Sequence, residues 1–145
     1  MKYPIGIQDF EKIREDGFVY VDKTALLYDL VTNGTIYFLG RPRRFGKSLL
    51  VSTLENYFLG KKELFKGLAI DSLEKEWKEN PVFHIDFNGN NFTSPFELKE
   101  AIETFISMQE AKYGKNPLAT TYGNRLSYVF EKAHEQTGQR VVVLI

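Results

Sequence analysis

The stretch 35–60, TIYFLGRPRRFGKSLLVSTLENYFLG, joins three kinds of sequence in a fixed order. Residues 35–39 are β-branched and aromatic, the composition of a strand. Residues 40–46 hold glycine, proline and three arginines, which break regular structure and make a loop. From Lys47 the apolar side chains Leu50, Leu54, Tyr57 and Phe58 recur at helical spacing until Gly60 stops them. A strand, a loop ending Gly46-Lys47-Ser48 and a helix beginning at the lysine are what a phosphate-binding loop needs. Backbone N–H groups surround the anion, the lysine ammonium reaches terminal phosphates, the serine hydroxyl binds Mg²⁺, and the positive helix end faces the charge. Glycine before the lysine removes the Cβ that would keep backbone from phosphate.

The spacing G-x-x-x-x-G-K-[S/T] is incomplete, because its first glycine falls at Arg41 and Gly40 lies one residue too early. The alternative is an ordinary basic loop with a solvated lysine; the strand before it and the apolar helix after it favour the phosphate loop. Arg41, Arg43 and Arg44 add guanidiniums that either neutralise phosphate, contact a neighbour, or pair with surface carboxylates.

Outward from this centre, residues 18–21 (FVYV) read as a short strand, and the residues before Gly17 as partly irregular. Asp22 reads as the cap of a helix whose stripe is Ala25, Leu26, Leu27, Leu30 and Val31. Asn33-Gly34 closes it, since both residues tolerate the left-handed conformation. Residues 64–70 form an apolar connector, and Ser72 is expected to cap a helix carrying Leu73 and Trp77. A strand over 82–87, a loop over 88–91, a helix started by Ser94-Pro95 and a helix over 123–136 follow. The chain closes on Arg140-Val-Val-Val-Leu-Ile145, read as a buried parallel strand at which the sequence is cut. The alternation predicts an α/β domain with a mainly parallel sheet and flanking helices.

The 145 residues suit one domain, and 43% hydrophobic content is enough for a core. Nineteen basic and nineteen acidic residues cancel, so there is no global field to draw nucleic acid. Absent cysteine excludes disulfides and thiolate metal sites, and two histidines make a metal cluster an unsupported reading. No apolar run approaches the ~20 residues of a membrane helix, and the N-terminus lacks a signal-peptide pattern, so a soluble, cytoplasmic protein is expected. Asp22 and Thr24 read as a helix cap in preference to a contact with a nucleotide base. Asp86 and Asn88, near the C-terminal end of a strand, are secondary candidates for facing a γ-phosphate or a water; His84 reads as a core or edge residue. Glu97, Glu100 and Glu103 read as a solvated helix face, and Trp77 as packing.

Three strings, FVYVDKT (18–24), FLGRPRRFGKS (38–48) and LFKGL (64–68), closely resemble the bacterial AAA-ATPase-like family. There RPRRFGKS is the usual Walker A form, so the resemblance implies that Arg41 in place of glycine is a family trait. The resemblance runs from about Tyr3 to Ile145. It implies the N-terminal part of one AAA-ATPase-like domain: 1–34 an N-terminal extension and helix, 35–145 an incomplete P-loop core. ATP and Mg²⁺ are the implied cofactors. The nucleotide-binding set is Arg41, Pro42, Arg43, Arg44, Phe45, Gly46, Lys47, Ser48 and Leu49, with Lys47 catalytic and Ser48 on the metal. Family members often carry a C-terminal PD-(D/E)XK nuclease-like domain, and the strand matching residues 141–145 leads into Walker B. The resemblance therefore implies a domain truncated before its acidic residues, expected to oligomerise, swap elements or alter its strand pairing. The second reading is a nucleotide-gated, STAND-like interaction module with little turnover; a small-molecule kinase is a third.

Overall fold

A computed structural model describes residues 1–42, 44–87 and 92–145. It is a mixed α/β structure, mostly helical, with one two-stranded parallel sheet among the described residues. The chain divides into two compact units, residues 1–79 and 80–145. No helix among the described residues is long and apolar enough to cross a membrane.

The first unit is helical. It contains α1 (Phe10–Glu15), α2 (Thr24–Asn33), α3 (Lys47–Phe58), a 3-10 turn (Lys62–Phe65) and α4 (Ala69–Leu73). α1 occupies the stretch expected to be partly irregular. The Asp9 carboxylate accepts from the Lys12 amide, and Phe10 and Ile13, three apart, are both fully buried. Phe10 packs 4.8 Å, centroid to centroid, from Phe65, and Phe65 lies 5.2 Å from Trp77. With Leu27 and Ile70 these rings form a core against which Leu50, Leu54 and Tyr57 of α3 pack. Burial decides here: truncating a fully buried Phe costs about 3–5 kcal/mol. The half-exposed Lys61–Glu11 ion pair at 2.8 Å belongs to a class contributing about 0–1 kcal/mol. Arg14 adds reach, donating from Nε to the Leu64 carbonyl (2.7 Å) and from Nη2 to that of Lys66 (2.8 Å).

Several expectations fail in this unit. Residues 35–39 form no strand: Ile36 and Phe38 are 93% and 95% exposed. Strand propensity acts only where a ladder partner exists, and the first unit has no strand among its described residues. Residues 18–21 are likewise without a ladder, although the Val19 amide donates to the Lys2 carbonyl at 2.8 Å. α2 ends where expected, but Gly34 is extended (φ −162°) and not left-handed. The Ser72-capped helix is absent, because α4 begins earlier and stops at Leu73. Glu74 then turns the chain: its Oε1 accepts the amides of Lys75 and Glu76 at 2.9 Å, and its Oε2 accepts the Tyr57 hydroxyl. Burial first, then Glu74, pushes the Tyr57 hydroxyl pKa up. Trp77, at φ +46°, drops onto Phe65 and Tyr57 instead of continuing a helix.

The second unit holds β1 (Val82–His84), α5 (Pro95–Tyr113), α6 (Tyr122–Thr137) and β2 (Val142–Leu144). β1 and β2 pair in parallel, Val82 with Val142 and His84 with Leu144. β1 is shorter than the expected 82–87. β2 is parallel as expected but half-exposed, with Val143 42% accessible, so the reading of a buried strand is corrected. One helical layer covers only part of a two-stranded sheet. The core is Phe83, Val129 and Ala133, with Phe105, Tyr113, Phe130 and Val141 around it. α5 starts with a complete capping box between Ser94 and Glu97 and with Pro95 in the first turn, as the Ser-Pro order predicts. α6 begins at Tyr122, one residue before expectation, capped by Thr121, and ends at left-handed Gly138.

The glutamates of α5 are not a merely solvated face. Glu97 caps its own helix, and Arg125 of α6 donates to Glu110 Oε1 (2.6 Å) and Glu103 Oε2 (2.7 Å). Glu110 is buried and the Arg125 side chain is 10% exposed, so the triad locks α5 to α6. The guanidinium's hydrogen bonds hold the Glu110 and Glu103 carboxyls below the usual carboxylate range. A depressed folded pKa means stability that is present above the unfolded carboxylate pKa and lost as pH falls through the folded one. Arg125→Met strands the buried Glu110 carboxylate and lowers stability by roughly 2–4 kcal/mol at neutral pH. Urea titrations from pH 7 down to pH ~3 should also show the loss shrinking with acid, because a protonated Glu110 no longer needs its partner.

Candidate functional site

The loop expected to bind phosphate sits in the first unit, at the start of α3. Lys47 and Ser48 are the first two residues of that helix, and no side chain caps it. Immediately before it the backbone alternates. Arg44 is left-handed (φ +66°), Phe45 is not, Gly46 is left-handed again (φ +77°), and Lys47 is helical. Left-handed residues interleaved with right-handed ones are the backbone pattern of anion-binding concavities. A non-glycine residue with positive φ is uncommon, and such outliers cluster at functional sites. Arg44 is therefore marked by its backbone as well as by its charge.

Gly46 is needed for conformation. A Cβ there would meet nothing within 4 Å, so space is not the constraint; the left-handed φ is.

α3 is fixed from behind. The Phe10 amide donates to Ser52 Oγ (2.9 Å), Thr53 Oγ1 donates to the Leu49 carbonyl (2.7 Å), and Asn56 Nδ2 donates to the Ser52 carbonyl (2.9 Å). Thr53 and Asn56 are buried, and Leu49 and Leu50 pack against the Phe10–Phe65 core. Arg41, Pro42, Arg44, Phe45, Gly46, Lys47 and Ser48 are exposed and Leu49 is half-buried. Arg43 and Asn88 lie outside the described residues. The described part of residues 40–48 has Arg41, Arg44 and Lys47 and no acidic residue, so its charge adds to the positive end of the helix.

Asp22 is not the N-cap residue of α2, as the sequence suggests; that residue is Lys23, which makes no side-chain cap, and Asp22 and Thr24 instead accept the first amides of two helices. Asp22 Oδ1 accepts the Thr24 amide (2.9 Å) and hydroxyl (2.6 Å), while Oδ2 accepts the Ala69 amide (2.7 Å). Buried Thr24 Oγ1 accepts the Ile70 amide at 3.1 Å. The pair thus satisfies free amides at the starts of both α2 and α4. Burial raises the Asp22 pKa, but the Thr24 and Ala69 hydrogen bonds outweigh it and hold the carboxyl below its ordinary value. Sequence spacing could find the local Asp22–Thr24 pairing, whereas the partner 47 residues away required the fold.

In the second unit, half-buried His84 lies in β1 and exposed Asp86 two residues after it, as the sequence places them. His134 Nδ1 meets the Gln139 carbonyl at 2.7 Å. Among the described residues no group of three or more His, Cys, Asp or Glu could hold a metal ion. Residues that sequence reasoning missed are Ser52, Arg14 and Arg125. None was signalled locally, because the partners of all three are remote in sequence.

The family described as a predicted AAA-ATPase has a sequence model that matches residues 4–145. An uncharacterized protein in the vnfD 5' region of Azotobacter chroococcum mcd 1 is 40% identical over 145 residues, which is 99% of this chain and 28% of that protein. The chain thus spans little more than a quarter of that relative's length. No solved structure matches it.

Gly46→Ala should lower stability by about 1–2 kcal/mol, the cost of a left-handed residue with a Cβ. Arg44→Gly releases the same strain and should leave stability unchanged or raise it by up to about 1 kcal/mol after the entropy of glycine is counted. Asp22→Ala removes the acceptor of the first amide of α2 and of α4 and should cost about 1–2 kcal/mol. Urea unfolding followed by circular dichroism ranks the three variants.

Proposed function

This chain belongs to the predicted AAA-ATPase family, and on that premise we propose that residues 41–49 bind the phosphates of ATP as part of a Mg²⁺-dependent ATPase. The observation that carries the reading is the alternation of left-handed backbone at Arg44 and Gly46 directly before the uncapped start of α3. Each residue has a role set by its chemistry. The amides of 44–48 bind phosphate oxygens through the concavity and the helix end. Lys47 is the compact charge that neutralises β- and γ-phosphate oxygens. Arg41, Arg43 and Arg44 supplement that neutralisation with planar, bidentate donors. Ser48 offers one hydroxyl oxygen to Mg²⁺, and the ion, when bound, neutralises charge developing on the phosphates.

Pro42 fixes one backbone torsion of the loop, and Leu49 anchors it to the core. The concavity suits phosphate and not base, so specificity among nucleotides comes from other residues. Hydrolysis belongs to the longer protein, where water activation needs an acidic residue placed beside the phosphate.

Calorimetric titration of the 145-residue chain with ATP–Mg²⁺ tests the reading. Weak binding without turnover is expected of this chain, Lys47→Ala should abolish it, and Ser48→Ala should weaken it only when Mg²⁺ is present. Binding that survives Lys47→Ala unchanged would place the nucleotide elsewhere and sink the proposal.

A further inference from the structure

A cavity of about 780 Å³ opens in the second unit, between the end of β1, one face of α5 and the start of α6. That size falls within the ~300–1,000 Å³ typical of small-molecule sites. α5 contributes Glu97, Glu100, Ala101, Thr104, Phe105 and Met108, whose spacing of three and four residues is a single helical face. With Ile102, which also lines the cavity, this face adjoins the one carrying Ile106 and Glu110, which the Arg125 lock and the core occupy.

The lining has two chemical components. Phe87 and Phe92 stand edge to face at 6.0 Å between centroids, and Phe105 and Tyr122 add two further rings. Asp86, Glu97 and Glu100 supply three acidic side chains, and no lysine, arginine or histidine is among the described residues of the lining. Glu97 is committed to the Thr93 amide (2.6 Å), and those hydrogen bonds hold its carboxyl low, so it acts through charge and not as a direct ligand. Aromatic faces attract cations through their quadrupoles, and carboxylates on the same wall add to the attraction. An anion would meet the like charges of Glu97 and Glu100 on the same wall.

We propose that this cavity binds a small organic cation with an aromatic or alkyl body, such as a quaternary ammonium or amidinium compound. The rings hold the apolar body and the charged head; Glu100, exposed at the rim, meets the head. The site shares no residue with 41–49 and carries the opposite charge preference, so it is no second phosphate site.

Nuclear magnetic resonance titration of the isotope-labelled 145-residue chain tests this, with benzyltrimethylammonium as the cation and benzenesulfonate as an anion of similar size. The cation should shift the amides of Ile85, Ala101 and Leu126 saturably, and the sulfonate should not. Glu100→Gln, an exposed change with little effect on folding, should weaken binding by roughly two- to fivefold. Tyr122→Leu should do so by a similar factor, the size of one cation–ring contact. Raising salt should weaken the cation further. Equal binding of both probes, no localised shifts with the cation up to ~20 mM, or unchanged affinity in both variants would overturn the proposal.

Discussion

The contact between Phe10 and Phe65 organises the first unit, because both rings are fully buried and each is reached from a different stretch of chain. It fixes α1 beside the 3-10 turn, and α1 in turn holds α3 through the Phe10 amide and Ser52. A helix of 12 residues is marginal alone in water, so α3 depends on this tertiary surface for its existence. The uncapped end of α3 can then remain exposed and free of local side-chain caps. Rigidity at the back of the helix is what leaves its front available for a ligand.

The same economy governs the motif strings around the loop. In FVYVDKT the aspartate and threonine accept the amides of Ala69 and Ile70, the first two residues of α4, directly after LFKGL. Gly60 shows a similar constraint: a Cβ there would stand 3.2 Å from the Trp77 carbonyl and 2.8 Å from Glu79 Cγ. The turn after α3 and the loop 74–79 are therefore built against each other.

The second unit is stabilised differently. Its core is small, and the Arg125–Glu110–Glu103 triad carries part of the helix–helix register. Buried ion pairs stabilise little against an apolar substitute, but they penalise misalignment strongly, since a shifted helix would bury an unpaired charge. That penalty keeps the two faces of α5 distinct, one toward α6 and one lining the cavity.

The phosphate-loop candidate, its glycine and lysine, the Ser94-Pro95 start of α5 and the Gly138 end of α6 were all legible in the sequence, because each rests on chemistry within a few residues. The family was legible for the same reason, in short contiguous strings. Residues 35–39 were misread as a strand, since propensity measures fit to a ladder and says nothing of whether a partner is present. The left-handed conformation of Arg44, the two-helix bracket of Asp22, the stop at Glu74 and the α5–α6 ion triad were invisible in sequence. Only tertiary structure decided them, because each depends on groups brought together from distant positions or on a backbone strain that neighbouring packing must hold.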